Sequence, residues 1–258
     1  MNRSFFKELA LFVCFILLLA SCKGGDKFEI QDVSFAKGFD SEMKPVTPGK
    51  DFQADEKICL SVIIKGRPKE GIVKARFLWH DELIAEVGYD LADTNAGVVF
   101  SFGEATYIGY TLTHDNPLPI SDKYRAEVLY KDTLLGTYPF NIAPPPGATP
   151  SKLISAVLAR GVDADYNPVE EETTFSPTEK VYLAGNADLG LSSWIRADWY
   201  INGKKDEEGS RTITMKENAS NTPFSFAYLP EGGWASGKHE VVLILNDEEV
   251  GRYTFSVE

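Results

Sequence analysis

Cysteine and histidine are scarce in this sequence, which has three of each among 258 residues. So small a supply of the usual zinc ligands argues against a zinc site built on several cysteines. Positive charge is also limited, because 26 Lys and Arg residues face 38 Asp and Glu residues and the net charge is −12. Proteins that bind nucleic acids usually carry a basic excess or a basic stripe. No run of Lys or Arg is present, so we expect no nucleic-acid partner.

Recognisable catalytic signatures are absent too. The sequence has no GxSxG, no HExxH and no glycine-rich phosphate loop. His80, His114 and His239 lie at unmatched positions, and only Asp115 beside His114 resembles a local acid–base pair. Neighbouring side chains of an extended chain point to opposite faces. We therefore expect no catalytic residue, no cofactor and no enzymatic activity.

The longest unbroken apolar run lies at the N-terminus. Arg3 and Lys7 precede 12 consecutive apolar residues, Leu9 to Ala20. A helix that spans a membrane needs about 20 such residues, so this run predicts the helix of a signal peptide over residues 1–21. The segment ends in Leu19-Ala20-Ser21-Cys22.

This ending resembles the lipobox of bacterial lipoproteins, in which an aliphatic residue and two small residues precede an obligatory cysteine. The resemblance implies cleavage before Cys22, a diacylglyceryl group on its thiol and, in many species, an N-acyl chain such as palmitate. The alternative is an ordinary signal peptide, cleaved near Ala20 or Ser21. Two or three acyl chains hold a protein on a membrane essentially permanently.

The residues after Cys22 bear on where such a protein would lie. Residues 22–28 would form a tether of at most about 20 Å, and the acidic body would contact the membrane through the lipid anchor alone. Position 23 is Lys rather than Asp, which favours the outer membrane in sorting of the enterobacterial kind. We expect a bacterial cell-envelope protein that, in a Gram-negative cell, faces the periplasm or the cell surface.

Cys59 is the one cysteine left for the body of the protein. Cys14 would leave with the signal peptide and Cys22 would carry lipid, so no intramolecular disulfide can form. Cys59 lies in a strand-like run, Lys57 to Ile64, which predicts a small buried hydrophobic residue rather than a reactive thiol.

The remainder of the chain contains one unit twice. With an offset of 123 residues, Ala36–Asp40 aligns with Ala159–Asp163. The offset drifts to 122 in the middle and to 115 at the end, where Tyr138 aligns with Tyr253. The order of matched residues is the same throughout, which indicates a tandem repeat.

A proline-rich stretch separates the copies. Ala143 to Pro150 has four prolines in eight residues, a composition that favours an extended, semi-rigid spacer. We therefore predict domains over residues 29–143 and 151–258, with a linker over residues 144–150.

Nearly everywhere in both copies the hydrophobic period is two, which is typical of strands. One such strand in each copy carries Ala75, Phe77 and Trp79, or Ala197, Trp199 and Ile201. Turns are expected at Lys131–Asp132, Asn202–Gly203 and Asn246–Asp247. The pattern predicts an all-β chain of two tandem antiparallel β-sandwich domains, and its order resembles the immunoglobulin fold.

This resemblance implies roles for two more residues. Tyr124 lies in a segment similar to strand F, where immunoglobulin-like domains have a tyrosine corner, and His239 occupies the equivalent position in the second copy. The antibody disulfide is absent, because its second cysteine is replaced by Ala126.

One acidic loop has part of a calcium-binding pattern. Asp163, Asp165 and Asn167 have the spacing of the first three ligands of a calcium loop, but Pro168 replaces the glycine at position six. The loop is therefore either a solvated acidic turn or a weak calcium site.

Several aromatic residues fall outside the clean strand alternation. Trp194, Trp234, Tyr107 and Tyr110 are candidates for ligand or partner contacts if they are exposed, and otherwise they cover the ends of the sandwich cores.

These patterns together predict a noncatalytic, lipid-anchored envelope protein. Its two modules would present a surface for a protein partner or act as a scaffold. The alternative is a carbohydrate-binding accessory lipoprotein, for which exposed Trp194 and Trp234 would supply the stacking surface.

Overall fold

The computed structural model describes residues 28–93 and 99–258, and those residues form strands joined by turns and loops. The predicted signal-peptide helix, its cleavage site and Cys22 lie outside the described residues. Within the described ranges no helix is long and apolar enough to cross a membrane.

The strands before the proline-rich segment form what we call the first unit. Their bounds are β1 Ile30–Phe39, β2 Pro45–Pro48, β3 Asp51–Gln53, β4 Ile58–Lys65, β5 Ile72–Trp79, β6 Glu82–Asp90, β7 Val99–Phe102, β8 Ala105–Leu112, β9 Ser121–Tyr130 and β10 Thr133–Ala143.

The strands after it form the second unit. Their bounds are β11 Lys152–Val162, β12 Pro168–Glu171, β13 Thr174–Phe175, β14 Val181–Leu189, β15 Trp194–Ile201, β16 Lys204–Thr214, β17 Ala219–Tyr228, β18 Gly237–Leu245 and β19 Glu248–Val257.

Each unit is a sandwich of two sheets. The first unit has the orders β2-β1-β4-β8-β7 and β3-β10-β9-β5-β6, and the second has β12-β11-β14-β17 and β13-β19-β18-β15-β16. Pairing is antiparallel except for β3 with β10 and β13 with β19. The N-terminal strands of each unit divide between its two sheets. The predicted all-β sandwich fold is confirmed.

The repeat is visible in the hydrogen-bond register. In the first unit Gly38 pairs with Val46, and in the second Gly161 pairs with Val169, so both partners are shifted by 123 residues. The later strands follow the offsets of 122 and 115. Phe77 pairs with Ala126 in the first unit, and the equivalents of these two residues, Trp199 and Val241, pair in the second. The two units therefore share one register, and their strand orders match except that β7 is a fifth strand in the β1 sheet without an equivalent in the β11 sheet.

A hydrophobic core fills the space between the sheets of each unit. In the first unit the core includes Leu60, Phe77 and Phe140, and in the second it includes Leu183, Trp199 and Phe255. Cys59 is fully buried in β4, and burial raises the pKa of its thiol. Because a buried thiol is protonated and inaccessible, the prediction of a structural rather than a reactive cysteine is confirmed.

The corner residue differs between the units but makes an equivalent bond. The Tyr124 hydroxyl donates to the Pro119 carbonyl at 2.9 Å, which confirms the predicted tyrosine corner. In the second unit His239 is fully buried, and its Nε2 lies 2.7 Å from the Ala235 carbonyl. A carbonyl only accepts, so this nitrogen carries the hydrogen. Nδ1 is then free to accept from the Asn202 amide at 3.4 Å.

The predicted turns adopt the left-handed backbone that two-residue hairpin loops need. Positive φ angles occur at Lys131, Asp132, Asn202, Gly203, Asn246 and Asp247. The proline-rich segment differs from its expected extended form. It contains a turn closed by the Ala148 amide on the Pro145 carbonyl, and Gly147 supplies the positive φ.

The close approach of β11 to β14 requires a glycine at position 185. A Cβ atom on Gly185 would lie 1.9 Å from the Ser155 carbonyl oxygen, beside the bulge in β11. Gly185→Ala should therefore force the two strands apart and lower the free energy of unfolding by about 2–3 kcal/mol. Gly161→Ala is the matched control, because nothing lies within 4 Å of its added Cβ. Denaturant midpoints followed by circular dichroism test this, and equal midpoints would contradict it.

Candidate functional site

The two units contact each other through a small set of side chains and peptide groups, which we call the joint. The first unit contributes the end of β5 and the start of β9, and the second contributes the loop before β15 and the tip of the β18–β19 hairpin. Its members are Trp79, His80, Ile120, Ser121, Ser192, Trp194 and Asp247.

Trp194 is the central residue of the joint. Its indole Nε1–H donates to the Ile120 carbonyl at 2.7 Å, and its ring meets Trp79 edge to face with centroids 5.2 Å apart. The residue is fully buried but is not a member of the second unit's own core. Its burial therefore depends on the first unit. Asn246 fixes its backbone by accepting the Trp194 amide hydrogen at 2.9 Å.

Ile120 is bound to the second unit from both sides. Its carbonyl accepts from Trp194, and its amide donates to the Ser192 carbonyl at 3.0 Å. Because both peptide groups of one residue are used, the connection resists sliding as well as separation.

Asp247 supplies the charged contact of the joint. One carboxylate oxygen accepts from the Ser121 hydroxyl at 2.6 Å and from the Asp122 amide at 3.3 Å. The other lies 2.9 Å from His80 Nε2. Asp247 has a φ of 71° in its hairpin turn, and His80 has a φ of 53°. Two tight turns thus bring these side chains together.

The electrostatics of the joint favour a neutral histidine. Burial lowers the pKa of His80, and the nearby Asp247 carboxylate offsets this only in part. The positive charge of Arg196 lowers the pKa of His80 further. Within the described chain, Trp79 Nε1 and the Ser192 hydroxyl are buried without a hydrogen-bond partner, and His80 Nε2 and Asp247 Oδ1 are 2.9 Å apart without hydrogen-bond geometry. Such groups reduce the net free energy that holds the two units together.

The linker is held against the second unit. The Asn218 side-chain oxygen accepts the amide hydrogens of Thr149 and Leu191, and its amide nitrogen donates to the Gly147 carbonyl at 2.9 Å. Asn218 therefore ties the linker to the same end of the second unit that carries the joint.

Of the two alternatives for Trp194 and Trp234, the structure has the one in which they are buried rather than exposed. Trp194 is covered by the first unit, as described above. Trp234 is 4% exposed, its Nε1–H donates to the Glu179 carbonyl at 2.9 Å, and its ring packs on Trp199 and Phe255. The glycine-rich loop turns tightly enough to direct this ring into the core, because the Trp234 amide donates to the Pro177 carbonyl.

The two tyrosine candidates differ from each other. Tyr110 is fully buried and its hydroxyl donates to the Val73 carbonyl at 2.9 Å, so it belongs to the alternative in which these aromatic rings cover the core. Tyr107 is half-buried, and the Lys44 ammonium lies 5.9 Å from its ring and 5.2 Å from the ring of exposed Phe102. Of the four aromatic candidates, Tyr107 is the one with an accessible ring.

The calcium candidate is a hairpin turn whose acceptors are already used. One Asp163 carboxylate oxygen accepts from the amides of Asp165 and Asn167, and the Asn167 side-chain nitrogen donates to both carboxylate oxygens. These bonds lower the pKa of Asp163, the Asn167 side chain contributing most. Asp40 binds the amides of Glu42 and Lys44 in the same way. In the described residues no group of three or more His, Cys, Asp or Glu side chains is gathered, and residues 163–167 form a turn that the first unit repeats.

The comparisons with known proteins give only distant likenesses. No family model matches the chain, and no curated protein matches it. Latent PorU from Porphyromonas gingivalis is 12% identical with a TM-score of 0.27, and the match covers 92% of this chain and 21% of that one. A hypothetical protein from Parabacteroides merdae is 12% identical with a TM-score of 0.31, covering 79% and 51%. A DUF4785 family protein from Legionella pneumophila is 12% identical with a TM-score of 0.24, covering 81% and 54%. The chain thus spans from about a fifth to about half of these proteins, and likenesses so distant assign no function.

Replacing Trp194 should loosen the joint. Trp194→Phe leaves the Ile120 carbonyl without its donor, which costs about 1–3 kcal/mol when the group stays buried. We expect a broader distribution of distances between probes on the two units. Trp234→Phe is the matched control, because it removes an indole bond inside the second unit only and should lower that unit's denaturant midpoint. Equal distance distributions for Trp194→Phe and the wild type would contradict the assigned role.

The joint should also weaken in mild acid. The closed joint keeps His80 neutral, whereas an opened joint returns its pKa towards the usual value of about 6.5. The open state therefore binds more protons, and the closed state loses stability as pH falls through about 6.5. Hydrogen exchange of the Trp194 indole should accelerate between pH 7.5 and 5.5, beyond the intrinsic change of a free indole. His80→Gln should remove this excess, whereas His114→Gln should leave it in place.

Proposed function

We propose that this protein is a noncatalytic, lipid-anchored protein of the bacterial cell envelope. Its two immunoglobulin-like domains would act as one stiff arm that presents a binding surface to a protein partner. The observation that carries this proposal is the joint, in which Trp194 and Asp247 attach the second unit to the first. Two domains meant only as flexible spacers would not need a buried tryptophan between them.

The joint connects the units head to tail. In the first unit the contacting groups lie at the β5–β6 turn and before β9, whereas in the second they lie before β15 and at the β18–β19 turn. Since these are different ends of one repeated fold, the arm has two unlike free ends. One lies near the N-terminus of the body and the other lies on the second unit.

The free end of the second unit is the binding surface we propose, and we call it the distal end. It consists of exposed residues 202–204 and 235–238. These positions correspond to the part of the first unit that contacts the second, because His80 matches Asn202 and Ser121 matches Ser236 at the repeat offsets. The same part of the fold that binds a neighbouring module in the first unit is thus open in the second.

The carbohydrate-binding alternative loses its support. It depended on Trp194 and Trp234 as exposed stacking surfaces, and both are buried. We therefore put forward a protein partner alone. Glycan binding by a soluble body of residues 23–258 would contradict this.

The anchor is tested first. Cys22→Ala removes the acceptor for lipid, so the protein should move from the membrane pellet to the soluble fraction after cell lysis. Ser21→Ala keeps a small residue before the cysteine and should remain in the membrane. A Cys22→Ala protein that stays in the pellet through a carbonate wash would overturn the lipid anchor.

The distal end is tested by affinity capture from detergent-solubilised native membranes, with residues 23–258 as bait. Lys204→Glu combined with Lys238→Glu reverses two exposed charges there and should weaken capture of the partner about tenfold, equivalent to about 1.4 kcal/mol. Lys50→Glu with Lys57→Glu makes the same change on the first unit and should leave capture unchanged. Equal loss in both pairs would show a general charge effect and contradict the assignment.

A further inference from the structure

The end of the first unit opposite the joint carries an exposed apolar surface, which we call the tip. Ile72, Leu134 and Leu135 are 44%, 53% and 37% exposed, and they lie beside the turn at Lys131–Asp132. The Lys131 amide donates to the Ile72 carbonyl at 3.0 Å, so the two chain segments meet there. Ile72 and Trp79 are the two ends of the eight-residue strand β5, about 23 Å apart.

The tip is the first unit's copy of a surface already used for docking. At the repeat offsets Ile72 corresponds to Trp194, and Asp132 corresponds to Asp247. The strand pairing agrees with this match, since Val73 pairs with Tyr130 in the first unit and the equivalent residues, Ile195 and Leu245, pair in the second. In the second unit this surface binds the first unit. In the first unit it remains open.

The open copy is also the more apolar one. Leu134 and Leu135 lie where the second unit has Glu249 and Val250 at the offset of 115. Leu83 and Ile84 form a second exposed aliphatic pair, at the joint end of the same unit, so the tip is distinguished by its place beside the entering chain and not by exposure alone.

The chain enters the first unit next to the tip. Phe28 stacks on Tyr130 with ring centroids 3.9 Å apart, and residues 28–33 line a cleft with Leu135 and Tyr138. Cys22 is six residues before Phe28, which allows at most about 20 Å of extended chain. A lipid on Cys22 would therefore hold the tip close to the bilayer and the joint far from it.

We propose that the tip lies against the lipid surface, with Ile72, Leu134 and Leu135 in the interfacial region. This inference rests on the lipid anchor proposed above. It replaces the expectation that the acidic body contacts the membrane through the lipid anchor alone. The tip carries both signs of charge, because exposed Asp90 pairs with Ile72 across the strands and two lysines are nearby. Lys131 lies 3.2 Å from Glu70, and Lys74 lies 2.7 Å from Asp132. Exposed lysines at positions 69 and 131 are within the same surface and suit phosphate headgroups.

Three side chains are too few to hold the protein on a membrane without lipid. Acyl chains bury far more methylene groups, so they supply the attachment. The tip then acts at the high local concentration that the tether creates, and it sets orientation. The protein without its lipid should not bind vesicles. The lipid-anchored protein should contact the bilayer through the tip, with the second unit directed away from the bilayer.

The experiment uses the full lipidated chain in protein-free vesicles of phosphatidylethanolamine and phosphatidylglycerol. An environment-sensitive fluorophore is placed on Leu134→Cys, or on Leu83→Cys as the matched control. Leu83 is 56% exposed and pairs with Leu78 at the joint end of the same sandwich. Cys59 is buried and does not compete for the label. Lipids that carry a quencher in the acyl chain report contact.

We expect several-fold stronger quenching, and a blue shift, at position 134 than at position 83. Equal quenching at the two sites, or stronger quenching at position 83, would overturn the proposal. Shielding of position 134 in native membranes but not in protein-free vesicles would also overturn it, in favour of a protein occupant. Flotation of the same samples checks the anchor separately. A chain that floats without quenching at 134 refutes the tip alone, whereas a chain that does not float refutes the proposed function.

Discussion

The hydrogen bond from the Trp194 indole to the Ile120 carbonyl is the contact on which the arrangement of this protein depends. An indole can be fully buried at low cost only when its N–H finds an acceptor, and the acceptor here belongs to the other unit. The tryptophan therefore has a satisfied, dry environment only while the two units are together. Asp247 fixes the orientation of the two units further, because from its hairpin turn it contacts both Ser121 and His80 of the first unit.

Duplication of one fold explains why the two ends of the molecule differ. In a head-to-tail contact, one end of the first unit binds the opposite end of the second unit. The two ends that stay free are therefore different parts of the repeated fold, and the pair has two unlike ends. Two of the sequence differences between the copies lie at these ends. The second unit, which binds the first, has Trp194 where the first unit has Ile72. The first unit, whose matching surface is open, has Leu134 where the second unit has Glu249.

Sequence reasoning succeeded where the information is local and periodic. The alternation around Phe77 and Trp199, the turns at Asn202 and Asn246, the burial of Cys59 and the corner at Tyr124 follow from patterns within a few residues, and the structure has them all. The joint could not be predicted in this way. Ser121 and Asp247 are 126 positions apart, and neither belongs to a motif. The burial of Trp194 and Trp234 was one of two open alternatives, because a single sequence does not distinguish a side chain that covers a core from one that faces solvent.

The corner residues show how much the fold tolerates when the physical requirement is met. Tyr124 and His239 are chemically different, yet each carries one donor to a backbone carbonyl a few residues upstream and packs its ring against the sandwich. What the position demands is a flat, largely apolar side chain with a hydrogen at its far edge. His239 also accepts the Asn202 amide hydrogen through its second ring nitrogen. In the first unit the matching amide, that of His80, donates to the Lys123 carbonyl at 3.0 Å. A side-chain acceptor therefore replaces a backbone acceptor in the second unit and ties its corner residue to the turn beside it.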